Sequence, residues 1–270
     1  MDTSKLRNKA EWVWIETLKV HNIAPETRIA SSLSPIEIFV CMYYGGLLNF
    51  FPDEPLHPDR DRLIISKGHG SICMYPILAD LGFFSEAEFE RVCKPGGFLG
   101  GIPDPIIPGY ETVNGSLGHG LGVAAGIAVA MKAKARCNKV LVLTGDGELN
   151  EGACWEAIMF AGHHKLSNLT LIVDDNRISM LDRSENIIAQ DNLDNRLRSF
   201  GWYVEHAEAE FIEELHSQLD KVTSNDVDMP CALIVRTLKG RGVPNLEDKP
   251  LSHVMAPNKG FMDNLFGNVK

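Results

Sequence analysis

A chain of 270 residues with 44% apolar and 23% charged side chains has the make-up of a soluble globular protein, long enough to bury one large core. Its sequence contains no run of about 18 uncharged apolar residues with which to span a membrane. A formal charge of −10 argues against binding a nucleic-acid backbone, which wants a basic surface, and leaves open a small anionic ligand held where the local charge differs.

The N-terminal residues mix both charge signs and lack the apolar stretch of a secretory signal, so a cytoplasmic protein is expected. Residues 5–21 have helical spacing, with Leu6, Trp12, Val13, Ile15 and Leu18 interrupted by Lys and Glu. Ser34-Pro35-Ile36-Glu37 has the pattern of a helix start: Ser34 is placed to cap, Pro35 suits the first helical position, and Glu37 completes a capping box. The helix that follows carries Ile38, Phe39, Met42 and Tyr43 and stops at Gly45-Gly46. Segment 49–62 is a surface loop rich in Pro and Asp, 62–66 a short buried strand, and Lys67-Gly68-His69-Gly70 a turn into a helix over about 71–81. His69 thus falls at the C-terminal end of a strand, where open α/β sheets hold their ligands.

Residues 94–116 are too rich in Gly and Pro for a regular element and read as a linker or a shaped binding loop. Small residues dominate a predicted helix over 117–136, which suits close approach to the sheet or to a partner chain. A βαβ unit comes next: strand 139–144, the turn Gly145-Asp146-Gly147, helix 151–164, and strand 169–173 ending at Asp174-Asp175-Asn176. Helices over 193–200 and 208–222, a short strand at Tyr203-Val204 and a buried strand Cys231–Arg236 follow, and the tail from about 240 is loop-like. This alternation predicts one three-layer α/β/α domain over 1–270 with a mostly parallel central sheet. The six cysteines lie far apart with no CxxC, so buried thiols are expected in place of disulfides or a zinc site.

The strongest candidate for chemistry is Asp146 with Asn176, at the ends of successive strands. Mg²⁺ takes oxygen ligands and usually shares its shell with phosphate oxygens and water. One carboxylate, one amide oxygen and a backbone carbonyl at Ile178 would leave positions for a diphosphate. Gly145 and Gly147 let the chain turn sharply and aim backbone N–H groups at that anion. Alone, the Gly-Asp-Gly triplet is equally a strand-to-helix turn with a capping Asp. The dinucleotide fingerprint GxGxxG is missing at this strand end.

The triplet, a helix, a second apolar strand and then Asn together resemble the signature of thiamine-diphosphate enzymes. Over roughly 10–257 the chain resembles the N-terminal, diphosphate-binding subunit of a two-subunit transketolase. The matching stretches include Ser66-Lys67-Gly68-His69-Gly70, Gly115-Ser116-Leu117-Gly118-His119-Gly120, Gly145-Asp146-Gly147-Glu148, Asp175-Asn176 and Lys239-Gly240-Arg241-Gly242. The resemblance implies thiamine diphosphate and Mg²⁺ as cofactors, with Asp146, Asn176 and the carbonyl of Ile178 on the metal. It implies that His69, His253 and the backbone at Gly115 and Gly147 contact the diphosphate, and that Leu117 and Glu148 belong to the cofactor site. His69, His253, Arg28 and Glu151 are the candidates for catalytic work. Glu151 also has two quieter readings, a favourable charge at a helix start or a place in an acidic network linking two active sites across an interface.

The implied reaction moves a two-carbon ketol unit from a ketose or related 2-oxo donor to an aldehyde or other small-molecule acceptor. The activating glutamate belongs to the family's pyrimidine-binding half, so the resemblance implies a partner subunit of about 300 residues, an α₂β₂ heterotetramer, and no activity for this chain alone. Two departures stand out. Where transketolases carry Gly-His-x-Gly-Gly-Ser-Leu-Ser, residues 27–34 are Thr-Arg-Ile-Ala-Ser-Ser-Leu-Ser, and a Gly-His-Pro-Asp stretch is here Gly101-Ile102-Pro103-Asp104. The two missing histidines are those that face sugar hydroxyls, so an altered substrate is expected. Arg28 would then pair with a carboxylate, sulfonate or phosphate, or else brace the cofactor loop, and Ile102 would suit a less hydroxylated group. Two other functions keep the same metal motif: a 2-oxo acid dehydrogenase E1 component passing its two-carbon unit to a carrier, and a non-catalytic cofactor-binding subunit.

Overall fold

The computed structural model describes residues 3–113, 115–224 and 227–267; Asn114, within the predicted binding loop 94–116, and the ends of the expected 1–270 domain lie outside the described residues. In chain order, helices α1 (Thr3–Ile23), α2 (Ile29–Leu33) and α3 (Ile36–Tyr44) precede strand β1 (Arg62–Ile65) and helices α4 (Met74–Asp80) and α5 (Gly120–Ala133). Strand β2 (Val140–Gly145), helix α6 (Gly152–His163) and strand β3 (Leu169–Asp175) form the predicted βαβ unit. The remainder is α7 (Ser184–Ile187), α8 (Leu193–Ser199), β4 (Tyr203–Glu208), α9 (Ile212–Thr223), β5 (Cys231–Arg236) and α10 (Lys259–Phe266).

The strands pair in the order β1-β2-β3-β5-β4, every neighbour parallel. Right-handed crossovers dictate which face each helix covers. The forward steps from β1 through β4 place α5, α6 and α8 on one face, where Leu121, Ile158 and Leu197 pack with the β-strand residues Val142 and Val173. The single backward step, β4 to β5, puts α9 on the opposite face beside α1, α3 and α4, with Leu215, Leu18, Phe39 and Ile77 over Leu143 and Leu233. Two buried layers result, with the sheet between them. Helix α3 is buried from Ile36 to Tyr43, as expected of a helix that is apolar on nearly every side, Glu37 being its one charged residue.

Two sequence expectations fail. The capping box at Ser34 does not form: Ser34 closes α2, Pro35 precedes α3, and no side chain caps that helix. The Ser34 hydroxyl is drawn away to a buried carboxylate, Asp174, at 2.6 Å, and Glu37 pairs with Arg241 at 2.5 Å. The tail is not only loop. It contains α10, held to α1 by an edge-on contact between Trp14 and Phe261, while the loop before it is tied to α1 by the Trp14 indole N–H donating to the Arg241 carbonyl at 2.8 Å.

Candidate active site

Because the sheet is all parallel, β1, β2, β3 and β5 end at one edge, and the residues after each strand converge there: 66–70, 146–148, 176–179 and 237–239. The start of α2, the loop around Gly115 and His253 from the tail close the ring around a cleft of about 470 Å³. Arg28, His69, Gly115, Leu117, Asp146, Gly147, Glu148, Asn176, Ile178 and His253 all line it. Glu151 does not. It sits exposed before the first turn of α6, its side chain against Gly118, where a β-carbon would lie 2.7 Å from Glu151 Cβ and where φ is +86°.

Under the cleft lies a fully buried charge pair. The Lys67 ammonium donates to Asp174 Oδ2 and to the Ser34 hydroxyl, while Asp174 Oδ1 accepts from Thr237 Oγ1 and, at 3.4 Å, from Asn176 Nδ2. Burial works to raise the Asp174 pKa, but the Lys67 charge and the hydrogen bonds outweigh it and hold the group below the usual carboxylate range. This pair fixes the Asn176 carboxamide from beneath, and Asn176 Oδ1 accepts from the Ile178 N–H at 3.1 Å.

Glu148 ties three loops together. Its Oε1 accepts from the Ser66 hydroxyl and from the Gly118 N–H at 2.8 Å, and its Oε2 from the Gly145 N–H at 3.2 Å. Its oxygens are thus occupied by the protein, and burial raises its pKa. Asp146 differs. It is buried, accepts from Ser184 Oγ at 2.6 Å and from the Gly147 backbone N–H, and has no ion-pair partner among the described residues; burial raises its pKa.

A buried carboxylate without a direct ion-pair partner among the described residues, next to an amide oxygen and the Ile178 carbonyl, suits a hard cation that completes its shell with phosphate and water. No group of three or more His, Cys, Asp or Glu positioned for a metal occurs among the described residues, so an all-side-chain cage of that kind is absent there. The Lys239 ammonium donates to the Ile178 carbonyl at 3.1 Å, and burial, reinforced by Lys67, lowers its pKa to about 8.

The two histidines meet edge to face, ring centres 4.8 Å apart, with His253 Nδ1 3.1 Å from the Ser31 hydroxyl. Burial, with the nearby Lys67 charge, pushes His69 down to about 2; burial, then Lys239 and Arg28, pushes His253 down to about 4. Both are therefore neutral at physiological pH, each with one N–H to give. Ile102 packs over Gly115, where a β-carbon would lie 3.5 Å from Ile102 Cγ2. A second depression of about 520 Å³ shares Asp146 and is lined by Arg177, Arg183 and Arg236, but holds none of the other candidate residues.

Residues 30–259 match the family described as transketolase, thiamine diphosphate binding domain. The chain belongs to this family. Its resemblance to transketolases extends to the fold: the crystal structure of Campylobacter jejuni transketolase superposes with a TM-score of 0.89 at 28% identity, over 95% of this chain and 41% of that one. The Pongo abelii transketolase is 34% identical over 265 residues, 98% of this chain and 42% of the relative. The chain therefore spans less than half the length of that transketolase. One of the subunits of the apulose-4-phosphate transketolase of Actinobacillus succinogenes is 36% identical over 228 residues, 84% of this chain and 82% of the relative.

In this transketolase domain, sequence reasoning overlooked the polar floor. Lys67, Asp174, Thr237 and Lys239 were given no role, although a signal existed: charged residues at the ends of strands that are otherwise buried throughout.

Proposed function

We propose that the chain works as a single diphosphate-binding domain, the N-terminal subunit of a split, thiamine-diphosphate-dependent transketolase-like transferase with an altered donor. The observation that carries this is the oxygen set of Asp146, Asn176 and Ile178 in one cleft with two neutral histidines. Similarity, over most of both chains, to a relative named as one subunit of a transketolase supports a partner that supplies the pyrimidine-binding half. We further propose Mg²⁺ as the metal and an α₂β₂ assembly.

Bound here, thiamine diphosphate would supply an electron sink for breaking a carbon–carbon bond next to a carbonyl. The chain's own contribution is to hold and orient. Asp146, Asn176 and the Ile178 carbonyl would hold Mg²⁺, and His69 and His253, kept neutral by burial, would donate N–H groups to the diphosphate without adding charge. The backbone at Gly115 and Gly147 and the Lys239 ammonium would add further contacts to the anion. Glu148 fixes the relative position of the loops that carry these groups. Glu151, outside the cleft, is proposed to act at a subunit interface.

The test is cofactor retention. Titration of thiamine diphosphate into the wild-type complex, with Mg²⁺ in excess and then with Mg²⁺ chelated, should give Mg²⁺-dependent binding that Asp146→Ala abolishes with the circular dichroism spectrum unchanged. Binding unaffected by Asp146→Ala would remove Asp146 from the site.

A further inference from the structure

On the reading that Asp146 binds the divalent cation, we propose that Ser184 is a positioning residue for that carboxylate, holding it in place for the metal without neutralising it. Asp146 lines both the cleft and the depression of about 520 Å³, whereas Ser184 lines only the depression. The Ser184 hydroxyl donates to Asp146 Oδ2 at 2.6 Å, and both residues are buried. The hydroxyl therefore reaches the carboxylate from the side away from the cleft.

Ser184 is held by its main chain, independently of that hydrogen bond. Its N–H donates to the Arg177 carbonyl at 2.9 Å, and its own carbonyl accepts from the Ile188 N–H at 3.0 Å. Ile178 and Arg183 form an antiparallel bridge across the same loop. The loop closed in this way carries Asn176 and the Ile178 carbonyl, the other two oxygens proposed for the metal. Asp146 comes from the end of β2, and its N–H donates to the Asp174 carbonyl of β3 at 3.2 Å. That bond fixes the backbone but not the rotation of the carboxylate about its Cβ–Cγ bond. The other donor to the carboxylate, the Gly147 N–H, belongs to its own turn. Ser184 is thus what ties the Asp146 side chain to the loop bearing its two companions.

The choice of a neutral donor matters because cations are close. Three guanidinium groups line the depression, and each faces another acid. Arg177 and Arg236 lie 3.7 and 3.9 Å from Asp175 oxygens, and Arg183 donates to both oxygens of Asp248, at 3.2 and 2.9 Å. A guanidinium paired with Asp146 would cancel its charge and would have to be displaced by an incoming cation. A hydroxyl orients the same oxygen and leaves the negative charge for the metal. Hydrogen bonds that orient a metal's ligands in this manner are worth about 10–100-fold in metal affinity.

The test uses the two-chain complex and the affinity of thiamine diphosphate, measured by calorimetry with Mg²⁺ in excess and with Mg²⁺ chelated. The ratio of the two affinities is the gain due to the metal. Ser184→Ala should cut that ratio about tenfold and leave the affinity without Mg²⁺ unchanged. A residue that only stabilised the fold would weaken both alike. Ser184→Cys, similar in size with a weak S–H donor, should cut the ratio by less, and it decides the question if the alanine variant does not fold. Ratios within about twofold of wild type in these variants, too little for an orienting bond, or equal losses with and without Mg²⁺, would overturn the inference. A wild-type ratio that Asp146→Ala abolishes would in that case leave the metal reading intact. A wild-type ratio near one, or one that Asp146→Ala does not change, would overturn both.

Discussion

Lys67→Met separates the two members of the charge pair beneath the cleft while nearly conserving side-chain volume. Lys67 is 2% exposed and Asp174 0%, so solvent cannot replace the lost ammonium. Breaking a buried pair from one side costs about 3–5 kcal/mol. Asp174 keeps donors from Ser34, Thr237 and Asn176, which points to the lower end, about 3 kcal/mol, still a large share of the roughly 5–15 kcal/mol that stabilises a domain. Adding Asp174→Asn removes the stranded charge, and the double variant should recover at least about 1 kcal/mol over Lys67→Met.

Urea unfolding of the purified chain, followed by far-ultraviolet circular dichroism, measures all three stabilities. The pH dependence gives an independent sign. In the wild type the Asp174 pKa is depressed, so the pair's contribution is present above the ordinary carboxylate pKa and is lost as pH falls through the folded value. In Lys67→Met the ammonium no longer opposes burial, so protonating Asp174 relieves the variant and its deficit narrows on acidification. A Lys67→Met chain within about 1 kcal/mol of wild type, or a double variant no more stable than the single one, would refute the reasoning.

Other consequences are simpler to state. Glu148→Gln puts an amide N–H₂ where a carboxylate oxygen accepts from a backbone N–H; a loss of about 1–3 kcal/mol in the same unfolding assay, together with weaker cofactor binding in a titration, is expected. On α5, Gly120→Ala would bring a β-carbon to 2.8 Å from the Ser66 Cα, while Gly122→Ala meets nothing within 4 Å. The first should destabilise the chain by about 1–3 kcal/mol and the second stabilise it by up to about 1 kcal/mol, read from urea midpoints; equal effects would contradict the packing described. Because burial, with the Lys67 charge, pushes His69 down to about 2 from 6.5, the unfolded chain binds more protons between those values, and stability is lost as pH falls below 6.5. The slope contributed is at most about 1.4 kcal/mol per pH unit, and His69→Gln should flatten the profile between pH 6.5 and 5.5.

The parts of this fold that were readable in advance are those where one physical signal is strong and local. Runs such as 169–173 are apolar at every position but one because both faces of a parallel strand are covered, and Gly145-Asp146-Gly147 marks the strand end, although neither glycine has a positive φ and a β-carbon at Gly145 would meet only Lys67 Cδ at 3.8 Å. The start of α3 misled because Ser34, Pro35 and Glu37 satisfy every local rule for a cap, yet a buried carboxylate 140 positions away competes for the same hydroxyl. Helix α10 was missed because the tail's apolar residues find their partners on α1, at the far end of the chain. For the same reason Lys67, Asp174 and Lys239 had no visible role: each is explained only by neighbours that the sheet's strand order brings together.

That order also carries a consequence for biosynthesis. β5 lies between β3 and β4, so while the ribosome is still adding residues before Cys231, β3 has an unpaired outer edge and β4 has no neighbour to join. An apolar strand edge of that kind invites pairing with other chains. The nascent protein is therefore most vulnerable to misassembly before β5 is made, and a slowed or truncated translation near that point should yield aggregates in place of a smaller folded core.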